Sequence, residues 1–177
     1  MKPITDEKVI LVNERDEQVG ELGKMEAHEQ ALLHRAFSVF IFNAKNEMLL
    51  QRRAAGKYHS PGLWTNACCS HPRPGEDTAD AATRRLREEL GFTTRLEKIF
   101  DFVYRSEFDN GLTEYEFDHV YAGTYDQEIH PNPVEVDGYA YRELSAIRAD
   151  LAADPGKYTT WFQLAFPMVR DWAEKTQ

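Results

Sequence analysis

Two short apolar runs, Val9-Ile10-Leu11-Val12 and Val19-Gly20-Glu21, flank the polar Asn13-Glu14-Arg15-Asp16 and predict a hairpin with a structural role. A longer run from Arg35 to Asn43 puts Phe37, Val39 and Ile41 on one face and Ala36, Ser38, Phe40 and Phe42 on the other. It predicts a central strand covered on both sides. Ala44-Lys45-Asn46 turns that strand into Glu47 to Arg53, as a hairpin at the middle of a sheet. From Asp77 or Thr78 the period becomes helical, with Ala82, Leu86 and Leu90 on one stripe and Gly91 as the left-handed residue that ends the helix. Leu96 to Tyr104 and Glu114 to Thr124 predict two strands joined through Asp109-Asn110-Gly111. In the second of these, Glu114 and Glu116 share one face while Tyr115, Phe117, His119 and Tyr121 take the other. Val134 to Tyr141 predicts another strand, Ser145 to Ala153 a short helix, and Trp161 to Lys175 a last helix that Pro167 should kink or interrupt. Helices around a mixed sheet give an α/β sandwich.

Composition narrows the picture. A chain of 177 residues, 42% hydrophobic, is expected to form a single domain over 1–177. A domain of that size buries roughly 70% of its unfolded surface. The net charge of −9 argues against a general binder of nucleic acid or acidic membrane, so a phosphate ligand must be held by local cations or metal. The two cysteines, Cys68 and Cys69, are adjacent and read as free thiols in a reducing compartment, which points to a cytoplasmic protein. Residues 1–20 lack the apolar core of a signal peptide, and no apolar run reaches the roughly 18 residues of a membrane span. No internal repeat or long linker divides the chain; Pro131-Asn132-Pro133 reads as a loop.

The chemistry-bearing residues concentrate between Asn66 and Phe92. Asn66-Ala67-Cys68-Cys69-Ser70-His71-Pro72 precedes Glu76 and Arg84-Arg85-Leu86-Arg87-Glu88-Glu89-Leu90-Gly91-Phe92, a stretch with the spacing of a Nudix box. Two positions depart from that box: Ser70 replaces the leading glycine, and Arg85 replaces a glutamate that Nudix hydrolases use for metal-assisted attack by water. Arg85 and Glu89 are four apart on the predicted helix and project on a common side. Together they suit a diphosphate with Mg²⁺; a solvated ion pair is the plainer reading.

Divalent-metal donors are available in His28, His34, His71, Glu114 and Glu116. His28 and His34 lie six apart, about 120° around a helix, so both can ligate only if the approach to the central strand is partly non-helical. Cys69 offers a nucleophile, a metal ligand or a proton donor; Cys68 faces the opposite way in an extended segment and reads as packing. Lys24, Arg53, Lys57 and Arg85 could neutralise a diphosphate. Trp161, Trp64 and Tyr104 could wall an apolar pocket, although Trp161 would serve equally as an anchor for the last helix. No dinucleotide fingerprint, P-loop or serine-nucleophile elbow is present.

Leu33-His34-Arg35-Ala36-Phe37-Ser38, Pro61-Gly62-Leu63-Trp64-Thr65-Asn66, the Cys68-Cys69-Ser70-His71-Pro72 segment and Glu114-Tyr115-Glu116 occur in an order that resembles the type I isopentenyl-diphosphate isomerases. The resemblance runs from about Val9 to Trp172. It implies a Nudix-like sandwich, a mixed sheet flanked by helices, that isomerises isopentenyl diphosphate to dimethylallyl diphosphate for isoprene biosynthesis without cleaving the diphosphate. It further implies that Cys69 and Glu116 are the acid–base pair about a tertiary carbocation, that Tyr104 hydrogen-bonds Glu116, and that Trp161 shields the cation. His28, His34, His71, Glu114 and Glu116 correspond to the family's metal site for Mn²⁺, Zn²⁺ or Mg²⁺, with Cys69 also among the metal-contacting residues. Glu89 corresponds to a ligand of the Mg²⁺ that enters with the substrate, and Lys24, Arg53, Lys57 and Arg85 to the groups that hold its oxygens. The expected partner is a small isoprenyl diphosphate, with no nucleic acid or membrane, for a monomer or weak homodimer. Two other readings stay open on the residues alone: a Nudix hydrolase that cleaves a diphosphate, and a silent Nudix-fold module that binds without turnover.

Overall fold

The structure, a computed structural model, describes residues 7–176. The first six residues of the stretch judged to lack a signal peptide lie outside it. The chain runs β1 (Lys8–Val12), β2 (Gln18–Gly23), α1 (Lys24–Glu29), β3 (His34–Phe42), β4 (Met48–Arg53), β5 (Trp64–Thr65), β6 (Cys68–Ser70), α2 (Thr78–Leu90), β7 (Glu97–Glu107), β8 (Thr113–Thr124), β9 (Val136–Arg142), α3 (Leu144–Ala153) and α4 (Thr160–Lys175). The nine strands of the described residues belong to one sheet.

β3 organises it. The alternation read from the sequence is realised: Phe37, Val39 and Ile41 pack with Ala82, Leu86 and Leu90 of α2, while Phe40 and Phe42 pack with Phe162, Phe166 and Val169 of α4 and Ile147 of α3. Such a strand, apolar on both faces, belongs between helices. One edge of β3 pairs along its whole length with β8 in parallel, from His34 opposite Glu116 to Phe42 opposite Thr124. Antiparallel partners meet it at Leu11 of β1, at Cys68–Ser70 of β6 and at Met48 of β4.

That pairing changes the expected central hairpin. β3 and β4 meet only at Phe42 and Met48 and then diverge, because β6 pairs with the middle of β3 while β9 pairs with β4 from Met48 to Arg53. The Gln51 side chain donates to the carbonyl of Ala67 at 2.6 Å, joining the two parts where backbone pairing stops. Backbone hydrogen-bonding groups are thereby satisfied by other strands rather than left unpaired inside.

α2 begins and ends as its sequence requires. Asp77 accepts from the backbone N–H groups of Ala79 and Asp80, at 2.9 and 3.1 Å, and Gly91 closes the helix at φ 77°. A short helix, α1, precedes β3; it ends before Ala31, whose φ of 53° turns the chain toward His34. The path between His28 and His34 is therefore partly non-helical, as their spacing requires. α4 runs through Pro167 without interruption, against the expectation of a break. Pro167 is on the exposed side, where the carbonyl freed by its missing N–H can meet water, while Phe162, Phe166 and Val169 stay buried on the other side.

Candidate active site

The same sheet topology assembles the polar residues. Parallel pairing sets His34 opposite Glu116, and antiparallel pairing on the other edge of β3 sets Ser38 opposite Cys69. Cys69 and Glu116 thus stand on strands that flank β3 from opposite sides. Together with Lys24, Arg53, Lys57, Tyr58, His59, His71, Arg85, Tyr104, Glu114 and Trp161 they line one cleft.

His28, His34, His71 and Glu116 bring four potential ligand atoms within 4.8 Å of one another. His28 donates through Nδ1–H to the carbonyl of Lys24 at 2.6 Å, and His34 through Nδ1–H to that of Leu32 at 2.8 Å. These bonds place a proton on Nδ1 and turn the Nε2 of each ring inward, where it can serve as a ligand atom. His28 Nε2 stands 3.4 Å from Glu114, and His34 Nε2 3.2 Å from Glu116. Lone pairs facing carboxylates repel unless a proton or a cation lies between them. His34 Nε2 is buried with no hydrogen-bond partner, and His71 Nε2 lies 2.6 Å from Glu116. The donor set fits a divalent cation that accepts imidazole and carboxylate together.

Electrostatics agree with that fit. Burial would push Glu114 upward, but the imidazoles of His28 and His59 against it outweigh burial and hold the carboxyl well below the usual carboxylate range. Burial and the charge of Glu114 act likewise on Glu116, but the imidazoles of His34 and His71, whose Nε2 atoms lie 3.2 and 2.6 Å from it, bring it below its ordinary value. Burial lowers His71 to about 4, which keeps its ring neutral near pH 7. Tyr104 donates its hydroxyl to Glu116 and also stands 2.9 Å from Glu114.

The five-residue donor set read from the sequence divides into two overlapping groups. Glu114 clusters with His28 and His59 rather than with His34, His71 and Glu116. His59, absent from the sequence reading, lies 2.7 Å from Glu114 through Nε2 and stacks on Phe108 at 4.8 Å between centroids. Its neighbours Lys57 and Tyr58 gave a weak signal, since a histidine beside a tyrosine in a loop has no local pattern that marks a ligand.

Cys69 and Glu89 stand apart from both groups. The Cys69 thiol donates to Asn66 Oδ1 at 3.1 Å and lies 3.4 Å from Ser38 Oγ, which itself donates to the buried Asp118 at 2.7 Å. Asn66 is fixed because its amide donates to the carbonyls of Val39 and Cys68. Burial pushes the Cys69 thiol far above its ordinary value, so it carries its proton at neutral pH. The sulfur is thus held by Asn66 and Ser38, outside the two histidine–glutamate groups. Cys68 is fully buried in the α2 layer, as expected of packing. Glu89 is buried on α2, with Arg85 Nη2 3.4 Å from one oxygen and no partner on the other.

The expected cations gather at the cleft. Lys24 Nζ lies 4.8 Å from the Tyr58 ring centre, and the Arg53 guanidinium 5.3 Å from that of Trp161 while donating to the carbonyl of His59. Lys57 and Arg85 share the carboxylate of Glu135 at 2.5 and 3.3 Å. Trp161 and Tyr104 line the cleft, but Trp64 does not: it packs against the α4 layer, with Arg52 over its ring. Pairing of β5 with β4 carries its side chain away from the pocket expected for it.

Comparison with known proteins agrees with this architecture. Residues 32–162 match the NUDIX domain family. Isopentenyl-diphosphate Delta-isomerase 2 of Aromatoleum aromaticum is 52% identical to this chain, over 88% of the chain and 82% of the relative. The Isopentenyl-diphosphate Delta-isomerase of Pectobacterium atrosepticum is 47% identical, over 96% of this chain and 94% of the relative. The crystal structure of DR0079 from Deinococcus radiodurans is similar at a TM-score of 0.69 and 25% identity, covering 83% of this chain and 90% of that one. With a Nudix box that has lost a catalytic carboxylate to Arg85, and relatives nearly half identical or more along almost their whole length, the chain belongs to the NUDIX domain family and, within it, to the isopentenyl-diphosphate Delta-isomerases.

Proposed function

We propose that this isomerase interconverts isopentenyl diphosphate and dimethylallyl diphosphate, with Cys69 and the Glu116–Tyr104 pair exchanging protons with the substrate's carbons. The observation that carries the reading is that a thiol held by Asn66 and Ser38 and a carboxylate bonded by Tyr104 line one cleft, where burial pushes the thiol up and the neighbouring imidazoles bring the carboxyl below its ordinary value. Opposite protonation states in neighbouring groups are what a paired acid and base need. Cys69 and Glu116 reach the cleft from strands on the two sides of β3, which suits proton delivery to one carbon and removal from another across a bound alkene. Asn66 and Ser38 hold the sulfur, and Tyr104 holds Glu116.

The intermediate charge needs a dry, weakly nucleophilic wall. Trp161 supplies an indole face, and a cation over such a face gains about 2 kcal/mol when desolvated. Lys24, Arg53, Lys57 and Arg85 hold the diphosphate oxygens, and Arg85 stands where a hydrolase would keep a carboxylate to activate water. His28, His34, His71, Glu114 and Glu116 would hold a divalent ion, Mn²⁺, Zn²⁺ or Mg²⁺. Such an ion would supply the positive charge that lets two buried carboxylates stand side by side. Glu89 would meet the Mg²⁺ that accompanies the diphosphate.

Incubation with isopentenyl diphosphate and Mg²⁺ in D₂O, followed by proton and phosphorus NMR, tests this reading. Dimethylallyl diphosphate carrying deuterium is expected. Release of inorganic phosphate would instead identify a hydrolase. Cys69→Ala and Glu116→Gln should each lower turnover by at least about 100-fold while leaving the circular dichroism spectrum unchanged. Normal turnover by either variant would remove its residue from the acid–base pair.

A further inference from the structure

We propose that Glu135 makes capture of the diphosphate conditional on a divalent cation. The inference rests on the reading of Lys57 and Arg85 as groups that hold the diphosphate.

Glu135 lies in the loop that leads into β9, and its backbone is fastened independently of its side chain. Its N–H donates to the carbonyl of Asn132 at 3.0 Å, and its own carbonyl accepts from Ala54 at 3.1 Å. The N–H of Asn132 in turn donates to the carbonyl of Glu89 at 2.8 Å, so the loop is tied to α2. From this position the carboxylate reaches Lys57 at 2.5 Å and Arg85 at 3.3 Å. Arg85 also contacts Glu88 at 2.5 Å and Glu89 at 3.4 Å.

Two of the cleft's four cations are thus confronted by three carboxyl groups. The Lys57 and Glu135 side chains are 18% and 22% exposed, so water screens their pairing only in part. A bare diphosphate has to compete with Glu135 for both cations and suffers repulsion from the carboxyl groups around them. A diphosphate that carries Mg²⁺ arrives with a cation those carboxyl groups attract, and Mg²⁺ characteristically takes one or two carboxylates together with substrate phosphates. The second oxygen of Glu89, buried without a partner, is a further acceptor close by. Glu135 therefore discriminates by charge: it opposes the free anion and tolerates the metal complex.

Binding of methylenediphosphonate, which cannot be hydrolysed, is measured by isothermal titration calorimetry with Mg²⁺ and after removal of divalent ions. The wild-type protein should bind it far more tightly with Mg²⁺. Glu135→Gln should raise the metal-free affinity about tenfold and shrink the Mg²⁺ enhancement by a similar factor, a change that loss of one neighbouring charge can supply. Glu135→Asp, which keeps the charge, should retain the enhancement. If Glu135→Gln binds the metal-free ligand no tighter than wild type, Glu135 is a spacer for Lys57 and Arg85 and the proposal is wrong. If wild type fails to bind even with Mg²⁺, the diphosphate site itself has been misplaced, and the proposal falls with it. Thermal unfolding of each variant separates these outcomes from loss of fold.

Discussion

Glu114 has both carboxylate oxygens engaged by the protein: His28 and His59 approach Oε1 at 3.4 and 2.7 Å, and Tyr104 approaches Oε2 at 2.9 Å. His59 is held by stacking on Phe108 and by the edge of Trp161 at 5.5 Å, so its ring has little freedom to turn away. It holds the Glu114 carboxylate in place beside His28, which the two histidine–glutamate groups share. His59→Leu is expected to weaken divalent-metal binding by about tenfold to a hundredfold, the usual cost of removing a group that orients a ligand. His59→Gln, which can still donate to Glu114, should lose less. Competition of the purified variants with a chromophoric chelator reads this directly; unchanged affinity in the Leu variant would reduce His59 to a space-filling role.

At the scale of elements, α2 carries the modified Nudix box and is fixed at both ends. Arg84 binds Glu76 through two parallel hydrogen bonds at 2.8 and 2.9 Å, tying the loop before the helix to its middle. Those bonds hold the Glu76 carboxyl below its ordinary value of 4.5. A carboxyl lowered in the folded state contributes stability above its unfolded value, and that contribution is lost as pH falls through the lower folded value. Glu76→Gln should therefore be less stable than wild type at pH 7, with the gap narrowing as the pH falls below 4.5, as read by urea unfolding; a gap that does not change with pH would remove the carboxylate from the account. At the other end, a Cβ on Gly91 would come within 2.5 Å of the His130 carbonyl oxygen, at a residue with φ of 77°. Gly91→Ala should cost at least about 2 kcal/mol, combining left-handed strain with a backbone clash. Denaturant titration with an unchanged midpoint would show that the loop at His130 simply moves aside.

At the scale of the whole molecule, the chain has a net charge of −9 yet lines its cleft with four cations. The cations make a local exception to a repulsive field, which favours short-range contacts over long-range steering for an anion at the cleft. The histidine–glutamate cluster joins α1, β3, the segment after β6 and β8, so a bound metal would tie distant parts of the chain together. Adding Mn²⁺ at 100 times its dissociation constant to stripped protein should stabilise the fold by about 2.7 kcal/mol, seen as a rise in Tm. A Tm indifferent to metal would argue against the cluster as a binding site. None of the described helices is long and apolar enough to cross a membrane.

Periodicity alone determined that β3 has two apolar faces, that Glu114 and Glu116 share a side, that Arg85 and Glu89 project together, and that α2 lies between Asp77 and Gly91. These are consequences of fixed repeats along a strand or helix, and a repeat is local. Family resemblance, carried by motifs, brought Cys69, Tyr104, Trp161 and the cations into one expected site. Tertiary structure alone decided that β6 takes the edge of β3 expected for β4, that Trp64 leaves the pocket, that His59 lines it, and that Glu135 pairs with Lys57 and Arg85. His59 is 55 residues from Glu114, and Glu135 is 78 from Lys57. No local repeat encodes such distances. They are set by the long-range pairing of β3 with β8 and of β4 with β9, in which backbone hydrogen bonds must all be satisfied within one sheet.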